Sequence, residues 1–139
     1  MIGALMLIAS LYAAKAGATD MPVCPVPPDV QARSFPGEIP PPLSAELKKR
    51  YGGFAAPDEP FNVSDIVMKD LPTRRIAFVW QHAGRWVFGT ENGGIGYYTS
   101  VLAYDLDSAS SSVSFLKEDH GSSGEKLCET ARRWIAAQK

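Results

Sequence analysis

RIAFVWQHAGRWVFGTENGGIGYYTSVLAYDL, residues 75–106, decides the fold. Aromatic and β-branched residues fill three runs, and Gly and Asn punctuate them, the pattern of an antiparallel meander. The loop at His82 to Arg85 returns the chain once. Asn92-Gly93 returns it again, because a two-residue type I′ turn needs positive φ at both positions and this pair supplies it. That turn predicts Glu91 opposite Gly94, Gly89 opposite Gly96, Phe88 opposite Tyr97 and Val87 opposite Tyr98. Phe78 of the preceding strand is expected to cover the bare backbone of the glycines. A bulge at Gly96 would shift this register and turn one of the two tyrosines outward.

The glycines do not form a phosphate loop. A dinucleotide fingerprint needs G-x-G-x-x-G opening a helix, and Gly94-Ile95-Gly96 runs into the β-prone Tyr97-Tyr98-Thr99.

Beyond this core, a Ser-rich loop leads to a strand at Val113 to Leu116. Ser122 and Glu125 are spaced as a capping box, and GEKLCETARRWIAAQK continues as an amphipathic helix. Leu127, Ala131, Trp134 and Ile135 share one face of it. The fold class is α+β: an antiparallel β-meander of about five strands, a C-terminal α-helix packed on one face, and a Pro-rich N-terminal strap.

The strap comes from residues 21–43, which hold eight of the eleven prolines. Such a segment favours extended polyproline II. Ser44 then serves as N-cap of a two-turn helix, with Lys48, Lys49 and Arg50 in the last turn and Gly52-Gly53 as the stop. FNVSDIVMKDLP reads as an irregular entry to a strand around Ile66 to Lys69. Asn62-Val63-Ser64 is a glycosylation sequon.

The two ends set the compartment. Residues 2–14 form an apolar run too short for a comfortable membrane span, and Ala16-Gly17-Ala18 supplies a cleavage pattern, so residues 1–18 read as a secretory signal peptide cleaved near Ala18. No basic residue precedes the run, so either the α-amino group serves alone or the start lies upstream. No L-x-x-C motif leads into Cys24, which excludes a lipoprotein. The expected organisation is signal peptide 1–18, strap 19–43 and a single domain 44–139. Cys24 and Cys128 stand near opposite ends, and in an oxidising compartment they read as a disulfide. The expected location is periplasmic or secreted.

Fourteen basic residues against fifteen acidic ones give a formal net charge of −1. Loss of Lys15 with the signal makes the mature chain one unit more negative. With no basic stripe, nucleic acid and, after signal cleavage, membrane surfaces are excluded as partners.

No catalytic residue, metal site or cofactor is assigned. His82 and His120 read as turn residues, with no nucleophile motif beside them. Asp105 and Asp107 lack the further acids and the Gly of a calcium loop. Glu118, Asp119 and His120 are adjacent and read as diverging. What stands out is aromatic density: seven of residues 78–104 are Phe, Trp or Tyr. Ile76, Phe78 and Trp80 are expected on one sheet face, and Val79, Trp86 and Phe88 on the other. The one long helix covers a single face, so the other is expected to be covered by the strap or to be partly open. Exposed aromatics with Arg nearby are typical of protein-binding hot spots. Arg85, Glu91, Asn92, Tyr97 and Tyr98 are the candidate partner-binding residues, with the two tyrosines on opposite faces.

By its layout of export signal, single disulfide-tied β-rich domain and no catalytic set, the chain resembles small Gram-negative periplasmic inhibitor and immunity proteins. One lysozyme-inhibitor group among these carries S-G-x-x-Y; here Ser123-Gly124-Glu125-Lys126 ends in Leu127, so none of that group's residues is carried over. The resemblance implies a protein-binding module that neutralises a secreted toxin or wall hydrolase. The alternatives are a small periplasmic enzyme using His82 or His120, and a structural accessory subunit of an envelope complex.

Overall fold

A computed structural model describes residues 21–64, 68–121 and 123–137. The expected signal peptide and its cleavage site lie outside these residues. Five strands form one antiparallel sheet in chain order: β1 (Gln31–Ala32), β2 (Arg74–His82), β3 (Arg85–Asn92), β4 (Tyr98–Asp107) and β5 (Ser112–His120). Two helices, α1 (Pro41–Tyr51) and α2 (Glu125–Ala136), cover its two faces. The fold is α+β, with residues 75–106 forming the strands that their alternation predicts.

Local chemistry corrects several boundaries. The helix α1 starts at Pro41, not after Ser44, because proline belongs in a first turn whose N–H groups need no helical partner. Ser44 sits inside the helix and donates its N–H to the Pro40 carbonyl. Gly52, at φ 88°, ends the helix by donating its N–H to the Lys48 carbonyl. The strap is not wholly outside the sheet: β1 belongs to it, pairs with Trp80 and Gln81, and extends through Arg33 N–H to the Val79 carbonyl. At Met68 to Asp70 the chain turns where a strand was expected; residues 65–67 of that strand lie outside the described residues. The capping box falls on Ser122, also outside them, and α2 begins after Gly124 with no side-chain cap bond.

The hairpins differ in position from the sequence reading. His82 pairs with Arg85, so the first loop is only Ala83-Gly84. Asn92 is the last residue of β3 and pairs with Tyr98, which makes the second loop residues 93–97. Glu91 therefore faces Thr99, Gly89 faces Val101, Phe88 faces Leu102 and Val87 faces Ala103. The reason is the Asn92 side chain. It is buried and donates to Thr90 Oγ1 at 3.2 Å and to Ser100 Oγ at 2.8 Å, which holds the residue in the strand. Gly94 and Gly96 take the positive-φ positions instead.

One bulge sorts the core. Ile76 pairs with Thr90 and Phe78 with Gly89, so Ala77 is the extra residue. Ile76 therefore joins Val79, Trp86, Phe88, Leu102 and Tyr104 instead of sharing a face with Phe78 and Trp80. On that face α1 contributes Leu43 and Leu47, and the strap contributes Ile39 and Phe35. The opposite face packs Trp80, Val87, Val101 and Ala103 against Leu127, Ala131, Trp134 and Ile135 of α2. Both faces are covered, so the sheet is the middle of a two-sided core. Phe78 does lie over Gly89, where a Cβ would come within 2.1 Å of its ring.

Cys24 and Cys128 are joined by a disulfide, which ties the strap to α2 across 104 residues of sequence. Such a bond fits a protein that lives outside the reducing cytoplasm. Among the described residues no helix is long and apolar enough to cross a membrane.

Candidate functional site

The loop 93–97 projects from the sheet end where β3 passes to β4. Its base is closed from below: a Cβ on Gly93 would fall 1.6 Å from the Asn62 carbonyl oxygen, so only glycine permits this approach. The Asn62 side chain accepts from Met68 N–H at 2.9 Å and donates to the Met68 and Leu71 carbonyls, which fixes the segment beside the loop. The sequon is thus sealed in the fold, because its Asn62 amide is buried and fully occupied. At the tip, Ile95 is 95% exposed and Tyr97 is 44% exposed; Met68, on the bracing segment, is 61% exposed.

Beneath this apolar tip lies a buried ion pair. Glu91, only 1% exposed, accepts from Arg75 Nε at 2.6 Å, and its other oxygen accepts from Tyr97 Oη at 3.0 Å. The Arg75 guanidinium stacks over Phe61 with its carbon 4.5 Å from the ring centroid. Three separated stretches of chain therefore fix the Tyr97 ring. Tyr98 points the other way, half-buried against His120 with ring centroids 5.7 Å apart.

The five candidate partner-binding residues do not form one surface. Glu91 and Asn92 are buried supports of the loop, and Tyr97 and Tyr98 flank its exit. Arg85 lies at the far end of β3. It forks onto Asp105 and donates to the carbonyls of Trp134 and Ala137 at 2.8 and 3.1 Å, closing the C-terminus of α2. Ile95 and Met68 were missed. The signal for Ile95 was available, since an apolar residue between two glycines of a turn has no neighbour to bury it; Met68 carried no such local mark.

The histidines end strands instead of occupying turns. His82 Nδ1 lies 2.8 Å from the Asp29 carbonyl, near the same sheet end as Arg85. His120 ends β5, and its Nδ1 lies 3.4 Å from Glu118 Oε1. The two are not divergent, because residues two apart in a strand share a face. Tyr51 Oη donates to the other Glu118 oxygen at 2.9 Å. Asp105 is held by Arg85, and Asp107 accepts from Ala109 N–H at 3.0 Å, which lowers its carboxyl pKa. No group of three metal-ligating side chains forms among the described residues.

Comparison with known protein families, with curated proteins and with solved structures finds no match for this chain. The arrangement itself must carry the reading. Its chemistry is that of a rigid protrusion: an apolar tip, an aromatic flank held by a charged support, and a base locked by backbone contact. A cleft of about 460 Å³ opens beside the support, between Arg75, Glu91, Asp58 and the strap at Met21 to Cys24.

Proposed function

We propose that the chain is a protein-binding module of the periplasm or extracellular space, and that it inhibits or neutralises a secreted toxin or wall hydrolase by seating loop 93–97 in a concave surface of that partner. The observation that carries this reading is Ile95, almost fully exposed on a loop whose base is locked by Asn62 and whose flank is held by the Arg75–Glu91 pair. Burying an exposed apolar tip against a partner is favourable. Preorganisation removes the ordering cost that a mobile loop would bring to binding. A protrusion suits a partner's cleft, and the disulfide suits a life outside the cytoplasm.

The test is capture of a partner from periplasm or culture medium, repeated with Ile95→Asp and Tyr97→Ala. Ile95→Asp is expected to keep the wild-type melting temperature within about 2 °C, whereas Tyr97→Ala, which takes a donor from the buried Glu91, is expected to melt several degrees lower and still fold. Each is expected to weaken binding by about 2 kcal/mol. The captured partner's hydrolytic or toxic activity should fall in proportion to the chain added. A partner that holds both variants as tightly as wild type sinks the reading.

The Glu118–His120 pair gives the enzyme alternative its one specific support, since a carboxylate on Nδ1 leaves Nε2 as a base. That alternative requires His120→Gln to abolish an activity that Ile95→Asp leaves intact.

A further inference from the structure

A second feature, separate from loop 93–97, lies where α1 ends against the strap. A pocket of about 210 Å³ is walled there by Phe35, Pro36, Leu47 and Phe54, with Ser44 and Lys48 at its polar margin. The walls are mostly apolar and are held before any ligand arrives. Phe54 packs edge-on against Phe35 at 6.4 Å and against Tyr51 at 5.5 Å between ring centroids. The bond from Gly52 N–H to the Lys48 carbonyl, at 2.9 Å, fixes the chain that follows the helix. At the rim Lys48 is exposed, with the exposed Lys49 next to it in the last turn of the helix, and neither has an ion-pair partner among the described residues; their neighbour Arg50 is paired with Glu46.

Lysines in a last helical turn are favourable without any ligand, so the charges alone would mean little. The pocket beside them is the independent observation. We propose that this site receives an acidic segment of a partner protein, which inserts one bulky apolar side chain into the pocket and sets a carboxylate against Lys48 at its rim, with Lys49 adding to the local positive charge. Size selects the occupant. Sites for drug-sized molecules run to roughly 300–1,000 Å³, whereas this one holds about a single side chain. An anchor in a preformed apolar pocket, ringed by polar contacts, is the arrangement that concentrates binding energy at protein interfaces. The C-terminal end of α1 is also tied to the sheet end that carries loop 93–97, through Arg74 Nη1 and the Tyr51 carbonyl at 3.2 Å. One large partner spans both features, yet binding at either is measurable alone.

The probe is an acetylated and amidated pentapeptide, Glu-Glu-Phe-Glu-Glu, carrying a fluorophore and titrated with the disulfide-intact protein. Saturable binding is expected, weakening at least tenfold with Lys48→Glu and as salt is raised. The peptide with Ala in place of Phe should bind at least tenfold more weakly. Ser44→Phe fills the pocket from the helix side and should abolish binding; circular dichroism and melting establish that each variant is folded. Ile95→Asp should leave peptide binding unchanged, which separates failure of this site from failure of the loop reading. Absence of saturation at millimolar peptide overturns the proposal. Equal binding of the Phe and Ala peptides also overturns it, because the attraction is then charge alone. So does undiminished binding to folded Ser44→Phe.

Discussion

Glu91 shows how one residue changes meaning between sequence and structure. At the end of a Gly-rich turn it reads as an exposed acid, yet it is buried and bound to Arg75 and Tyr97. Burying two charges is costly, and their mutual attraction offsets that only while both are present. Glu91→Ala is expected to destabilise the protein by about 3 kcal/mol, because Arg75 is left charged and nearly buried. Replacing both partners, Arg75→Met with Glu91→Leu, should recover most of that loss in a denaturant melt while still releasing Tyr97. If Glu91→Ala melts as wild type, the pair does not support the loop.

At the scale of elements, the contact of α1 with β4 and β5 has a built-in alkaline limit. Burial pushes the Tyr104 hydroxyl up to about 12, and burial together with the hydrogen bond to Glu118 pushes Tyr51 higher still. Tyr104 Oη finds no hydrogen-bond partner among the described residues. An unfolded tyrosine ionises near pH ~10, so above that pH the unfolded chain releases protons that the folded chain keeps. The stabilisation is whole below pH ~10 and is lost as pH rises through about 12. The melting temperature is expected to fall steeply between about pH 10 and about pH 12, and less steeply in Tyr51→Phe. A flat profile would mean that both hydroxyls are solvated.

The same scale explains what was legible. The strands of residues 75–106, the face of α2 and the disulfide follow from side-chain period and cysteine count, which are local signals. The register did not follow, because the Asn92 side chain is claimed by Ser100 on the neighbouring strand, with Thr90 of its own strand beside it, and turn propensity gives way to a cross-strand bond. The Ala77 bulge has no local signature either. It moved Ile76 to the other face and left Phe78 and Trp80 where alternation placed them. The candidate site was half legible: Tyr97 and Tyr98 flank the protruding loop, whereas Arg85 is a helix clamp whose partners are backbone carbonyls far along the chain.

For the whole molecule, both sheet edges are guarded. Outside β2 lie the two-residue β1 and the parallel bridge of Ala55 to Arg75. The outer strand β5 carries a bulge at Leu116 followed by Lys117, Glu118 and Asp119, features that oppose edge-to-edge pairing. What closes the shape is the Cys24–Cys128 bond. Chain entropy alone assigns about 5 kcal/mol to a loop of this length. Cys128→Ser is therefore expected to lower the melting temperature by roughly 10 °C or more. Mass spectrometry of unreduced protein should show the two cysteine peptides linked; an unchanged melt for Cys128→Ser would mean that packing alone holds the strap.

The same bond bears on survival among proteases. Its 104-residue span encloses every strand, both hairpin turns and the Ser-rich connection at residues 108–111. A single cut anywhere within that span divides the backbone and leaves two fragments that remain one covalent molecule. Their hydrophobic faces stay at the same effective concentration, so a nicked copy can keep its shape where an unlinked chain would fall apart.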